Sequence, residues 1–325
     1  MIKKTLFAVA AVAAMVAMGA AQAAPDKTEC IAPAKPGGGF DLTCKLAQGG
    51  LQNGKFIDSP MRVTYMPGGI GAVAYNTVIA QRPDEPGTIV AFSGGSLLNL
   101  AIGKYGRYTV DDVRWVGSAG TDYGAIIVRA DSPYKSLKDV MTALKADPTK
   151  VVFGAGGSVG SQDWMKSALV ARAAGIDPKN MRYVAFEGGG EAMTALQGGH
   201  VQIYSGDASE MAAQMKGGRV RVLGILADER LPGVLSDIPT AKEQGYDVEW
   251  SIIRGFYVGP KVSDADYQWW VGTFDKMLAS EEYAKLREAQ GLFPFNKTGA
   301  ELDAYVKERV KHYTELAKDF GMVAQ

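Results

Sequence analysis

This sequence is poor in the residues that most catalytic and metal chemistry needs. It holds two histidines and two cysteines in 325 residues. Two cysteines with no histidine beside them make no zinc site. Net charge is also missing, because 35 Lys and Arg balance 35 Asp and Glu. That balance leaves no basic footprint for nucleic acid and none of the charge excess that keeps a chain disordered. No G-x-x-x-x-G-K-[ST] run occurs, which excludes P-loop chemistry. After residue 23 no apolar run reaches the roughly 18 residues a bilayer span requires.

The chain opens with an export signal. Lys3 and Lys4 precede the apolar run Leu6 to Met18, and Ala21-Gln22-Ala23 fits a small-x-small cleavage pattern. Thirteen apolar residues are too few for a membrane anchor. The expectation is a soluble periplasmic protein cut near Ala23, close to neutral once mature and without a lipid anchor. In that oxidising compartment Cys30 and Cys44, fourteen residues apart, are expected to pair. The alternative is two buried thiols. A bridge closing that loop is worth about 3 kcal/mol.

Short apolar, β-branched runs alternate with amphipathic segments along the rest of the chain. Cys30 to Pro33, Met61 to Met66, Thr88 to Phe92, Ala125 to Arg129, Val151 to Gly154, Met181 to Phe186, Val201 to Tyr204 and Val220 to Leu226 read as strands. Helices are expected between them, with a capping box at Ser136 to Asp139 and a terminating glycine at Gly175. The alternation predicts an α/β fold with mainly parallel sheet. Two C-terminal helices, one opening at Ser263 and one from Ala300 to Phe320 behind a capping box at Thr298, are expected to pack on one lobe. The length alone favours two domains.

Against these scarcities stands an excess of glycine, 40 residues where roughly 7% is usual. The glycines cluster at Gly37 to Gly39, Gly68 to Gly71, Gly154 to Gly160 and Gly188 to Gly190, each between a strand and a helix start. Such loops present bare N–H groups and the positive end of a helix dipole. In an open α/β sheet they lie at the carboxyl ends of the strands, where ligands bind. Four together predict an anion site built from main-chain donors, the bland alternative being tight turns. Ser93 and Ser96 after one strand, and Tyr123 beyond Val116, would add hydroxyls, unless they serve ordinary turns. Arg254, between Ile252-Ile253 and Gly255-Phe256, is the cation suited to an extra carboxylate, with Glu249 as its alternative partner.

Two motifs resemble enzyme signatures. Gly69-Ile70-Gly71-Ala72-Val73-Ala74 fits a dinucleotide fingerprint, but the acid expected about 20 residues on is displaced. Gly156-Gly157-Ser158-Val159-Gly160 fits the nucleophile elbow of a secreted esterase, with Ser158 as nucleophile. That reading needs a histidine, but His200, at a turn after Gly198-Gly199, has no evident orienting carboxylate, and His312 reads as a surface residue of the C-terminal helix.

The segments CIAPAKPGGGFDLTCKL, VTYMPGGIGAVAYN, FSGGSLLNL, GSQDWMKSAL, RYVAFEGGGE, IPTAKEQGYD and RGFYVGPKVSDADYQWW, in that order, resemble the tricarboxylate-binding proteins of the tripartite tricarboxylate transporters. The similarity covers essentially the whole chain and is nearest to the citrate and tricarballylate binders. It implies a two-lobed periplasmic binding protein of type II character, each lobe a mainly parallel sheet flanked by helices. Residues 24–126 with 254–325 would form one lobe and 127–253 the other. It also implies a non-enzymatic monomer without cofactor or metal, which holds citrate or a related tricarboxylate in the cleft and docks membrane subunits. Carried over by position, the ligand loops of the first lobe are Gly37, Gly38, Gly39, Phe40 and Asp41, then Pro67, Gly68, Gly69 and Gly71. The second lobe offers Ser158, Val159, Gly160, Ser161 and Gln162, and the region of Asp207. Asp41 is expected to cap its helix or anchor its own loop, and either Asp41 or Asp207 could accept the citrate hydroxyl.

Overall fold

The structure is a computed structural model that describes residues 24, 25 and 27–323, so the export signal expected at the N-terminus lies outside the described residues. In chain order the elements are β1 (Glu29–Ala32), α1 (Gly39–Asn53), β2 (Arg62–Tyr65), α2 (Ala72–Gln81), β3 (Thr88–Ser93), α3 (Gly94–Ala101) and β4 (Arg114–Arg129). Next come α4 (Leu137–Ala146), β5 (Val152–Gly156), α5 (Gln162–Ala173), β6 (Arg182–Phe186), α6 (Gly189–Gln197), β7 (Ile203–Asp207), α7 (Ala208–Lys216) and β8 (Val220–Leu226). The chain closes with β9 (Ser251–Val258), α8 (Asp264–Ala279), α9 (Glu281–Ala289) and α10 (Gly299–Asp319).

The strands run in the order β2-β1-β3-β9-β4-β7-β5-β6, with β8 paired to β4. One strand joins the two halves. Residues Arg114 to Tyr123 of β4 pair with β9, and Gly124 to Arg129 pair with β7 and β8. The chain returns at Trp250, whose N–H is donated to Leu226 and whose carbonyl accepts from Gly124, before β9 begins at Ser251. Each half is α/β and helix-covered, so the molecule has two lobes. Parallel pairing is confined to β2-β1-β3 and β6-β5-β7, while β4, β8 and β9 pair antiparallel, so the sheet is mixed rather than mainly parallel.

Local chemistry explains most element ends. Ser136 caps α4, accepting from the Asp139 N–H, and Asp139 accepts from the Ser136 N–H in return. Gly175, with φ +74°, follows α5. Thr298 does not form the expected box, because its hydroxyl donates to Asp275 instead. Cys30 and Cys44 are joined by a disulfide that pins α1 to β1. The C-terminal helices do not stay on one lobe. On α10, Tyr313 stacks on Trp250 at 5.7 Å, and Phe320 just beyond it meets Trp164 of α5 at 6.0 Å. The last helix therefore straps both halves.

Candidate ligand-binding cleft

Five helices begin at one place. Gly39 of α1, Gly95 of α3, Gln162 of α5, Gly189 of α6 and Asp207, the N-cap of α7, all line a single cavity of about 50 Å3 between the halves. Each helix start carries roughly half a positive charge. Ser93 and Ser161 cap α3 and α5, while the starts of α1 and α6 have no side-chain cap and keep their N–H groups open. Glycine allows the convergence. A Cβ on Gly38 would lie 3.0 Å from the Gly189 nitrogen, and one on Gly190 would lie 2.4 Å from the Pro36 carbonyl oxygen. Backbone thus meets backbone over the cavity, beside a Lys35–Glu191 ion pair of 3.0 Å.

The floor is a buried ion network. Arg254 donates from Nε and Nη2 to Asp122 Oδ2 at 3.1 and 2.8 Å, and from Nη2 to Asp207 Oδ2 at 2.5 Å. Asp207 also accepts from Lys166 Nζ at 2.6 Å, and Lys166 reaches Asp163 at 2.7 Å. Asp122 takes further bonds from the Ser209 N–H and hydroxyl. Glu210 accepts from Tyr204 at 2.5 Å and from the Asp207 N–H. Two cations therefore face four carboxylates. Burial raises Asp122 and Asp163 above the ordinary carboxylate range. Burial also works on Asp207, but Lys166 and Arg254 outweigh it and hold the group low. Glu210, desolvated and next to the Asp207 charge, is pushed up to about 7. The side chains bring no net positive charge, so attraction for an anion comes from the helix starts.

Of the residues proposed from sequence, Gly38, Gly39, Phe40, Ser93, Ser161, Gln162, Asp207 and Arg254 line this cavity. Arg254 has Asp122 and Asp207 as its ion partners rather than Glu249. Its guanidinium lies flat under Gly39, where a Cβ would sit 2.2 Å from Nη1. Ser93 and Ser96 form a capping box on α3. Asp41 accepts from the Gly37 N–H, Lys45 and Tyr65, each at 2.8 Å, and so holds the Gly37 loop from behind. Tyr123 turns away and packs on Phe293 at 5.5 Å.

The loop Pro67 to Gly71 stands at the rim. Gly68, Gly69, Ile70 and Gly71 all have positive φ. Ile70, at +46°, is a β-branched residue in left-handed backbone, an uncommon and costly placement. It is held there by Asn99 and Tyr105, which donate to its carbonyl at 3.3 and 2.9 Å. Both bonds fix the turn through its carbonyl. Gly69 and Ser158 line a second chamber of about 280 Å3 that shares Ile70, Asn99 and Ser161 with the first. There Lys104 donates to Ser158 Oγ at 2.9 Å and to the Val159 carbonyl at 3.1 Å. The elbow serine thus has a lysine as its partner. His200 lies on an exposed turn against Gly198, and His312 lies on α10 beside Tyr313.

Sequence reading missed Asn99, Asp122, Asp163, Lys166 and Glu210. Asn99 Oδ1 and Gln162 Oε1 are buried without hydrogen-bond partners, and both residues line the cavity. A lysine three residues after an aspartate, Asp163 and Lys166, was a usable signal on α5. The carboxylates of β4 and α7 were not, since their meeting depends on how β4 crosses between sheets.

A two-lobed α/β molecule with one cleft ringed by helix starts belongs to the class of solute-binding proteins. The particular lineage follows from comparison: the model of the tripartite tricarboxylate transporter family receptor matches residues 51–322, so the chain belongs to that family. Among curated relatives, a UPF0065 protein of Bordetella pertussis is 21% identical over 296 residues, covering 91% of this chain and 90% of the relative. Among solved structures, the periplasmic binding protein BugD superposes with a TM-score of 0.81 at 21% identity, covering 93% of this chain and all of its own. MatC from Rhodopseudomonas palustris, solved with bound malate, gives 0.79 at 20% identity, covering 89% and 98%. At these identities the structural likeness is one of fold.

Proposed function

We propose that this chain is an exported receptor that captures a small polycarboxylate between its lobes and delivers it to membrane subunits of a tripartite transporter. The single observation that carries the reading is the convergence of five helix N-termini on one cavity whose cations are already matched by acids. Such a site favours a carboxylate through oriented N–H groups. The unpartnered carbonyl oxygens of Asn99 and Gln162 are acceptors, and they suit a hydroxyl on the solute beside its carboxylates.

The inner cavity is small, with room for a handful of water molecules. One carboxylate fits there, and the rest of the solute extends into the adjoining chamber. A tricarboxylate such as citrate remains the proposed solute, with its extra carboxylate read by Lys104 rather than by Arg254. Lys104 bonds only neutral acceptors, and burial lowers its pKa, so an anion beside it would gain. A malate-bound relative of the same fold is consistent with a polycarboxylate. The lobes, 24–126 with 254–325 and 127–253, would hinge where β4 passes Tyr123-Gly124 and the chain returns at Trp250-Ser251, closing over the solute.

Calorimetry on the purified protein with citrate, tricarballylate, malate, succinate and glutamate tests the reading. Citrate should give heat, and Lys104→Met should weaken citrate more than malate. Heat from glutamate alone would end the carboxylate-only assignment, and equal losses in Lys104→Met would remove Lys104 from it.

A further inference from the structure

Behind the hinge lies a second cavity, of about 600 Å3, that the cleft reading does not use. That volume is within the usual range for small-molecule sites, ~300–1,000 Å3. Lys216 and Leu235 line it from the second lobe, while Arg287 and Phe293 line it from the first. Phe293 also bridges to Thr121 of β4, so the cavity sits against the crossing strand.

Its chemistry is lopsided. Lys216, Lys285 and Arg287 face one acid, Glu288. Lys285 is occupied by Glu281 at 2.9 Å, on the exposed side of α9. Arg287 is different. It is only 7% exposed, and its Nε is buried without any hydrogen-bond partner. Its nearest aromatic neighbour is the Tyr283 ring, 5.9 Å from the guanidinium carbon, a long contact. A buried guanidinium nitrogen left without an acceptor is costly, and an anion at the fork offsets the cost. The opposite wall is apolar. Val234 is 56% exposed there, next to Leu235 and the half-buried Phe293.

We propose that this cavity is a second ligand site for a small amphipathic monoanion, an aromatic or medium-chain carboxylate. Its acid group pairs with Arg287, and its apolar body lies on Val234, Leu235 and Phe293. A guanidinium suits a carboxylate because its fork can donate two parallel bonds. Because both lobes supply walls, occupancy is tied to the angle between them. The site rests on Arg287 and its surroundings, independently of what the cleft binds.

The test is calorimetry on the purified protein with octanoate and benzoate as probes. At least one should bind. Arg287→Gln and Val234→Asp should each weaken it by about tenfold or more, the loss of one good charge-assisted or apolar contact. A cleft variant, Gln162→Ala, should leave it unchanged within about twofold. Val234 is exposed, so its variant keeps the test valid if Arg287→Gln fails to fold, which circular dichroism would reveal. No heat from either probe overturns the proposal. So does a loss in Gln162→Ala with Val234→Asp unaffected, because the probe then occupies the cleft. A folded Arg287→Gln that binds as well as the parent overturns the assignment of Arg287.

Discussion

Arg254 on β9 and Asp207 at the start of α7 meet at 2.5 Å, joining the first sheet to the second beneath the cleft. Neither is free to act alone. Arg254 is 1% exposed and holds Asp122 as well, while Asp207 holds Lys166. The pair is as much a fastening between lobes as a feature of the binding surface.

Removing the arginine should therefore cost stability. Arg254→Met leaves Asp122 buried with Ser209 as a neutral partner and Asp207 with Lys166 as its one cation, an effect of about 3–5 kcal/mol for a broken buried pair. Arg254→Met with Asp122→Asn should recover part of that loss, because one orphaned charge is gone. Urea unfolding of the three proteins measures both steps. An unchanged midpoint in the single variant would show that water already reaches the network.

Glu210 gives the pH dependence a sign. Its folded pKa of about 7 lies above the ordinary 4.5, through burial first and then the Asp207 charge. The fold prefers the protonated form. The stabilisation is complete below about pH 4.5 and is lost as pH rises through 7. Glu210→Gln cannot ionise, so between pH 5 and 8 its melting temperature should gain on that of the parent. The expected swing is on the order of 1–3 kcal/mol. Parallel melting curves across that range would rule the effect out.

The Cys30–Cys44 bridge closes a loop of 14 residues. Its reduction should lower stability by about 3 kcal/mol on loop-closure grounds. Denatured, unreduced protein should show no free thiol, and reducing agent should bring the thermal midpoint down. Detectable thiol before reduction would contradict the bridge.

How much of this was legible in the residues can be seen element by element. The strand at Thr88 and the helix from Ala72 carry their own pattern and appear where periodicity puts them. Three helices were passed over. Two of them, α3 and α7, begin directly at a strand's end with no intervening loop to announce them. The first half of β4 was also hidden, since Gly117, Ser118, Gly120 and Thr121 break its apolar run. Gly117 and Gly120 are there for packing: a Cβ would strike Phe274 at one and the Phe293 carbonyl at the other. At the site, the glycine loops could be read because bare backbone before a helix has few other uses. Asp122, Lys166 and Glu210 could not, because a charge inside a strand or helix looks solvent-facing until its partner is known.

The glycine contacts over the cavity carry one more consequence. A methyl group on Gly38 would come within 3.0 Å of the Gly189 nitrogen and act as a doorstop. Alanine at Gly38 or Gly190 would leave the helix starts and the ion network in place yet hold the halves apart by the width of one carbon. Under the proposed closure, a chain altered that way would still meet its solute and never shut on it. What these positions protect is a distance of approach.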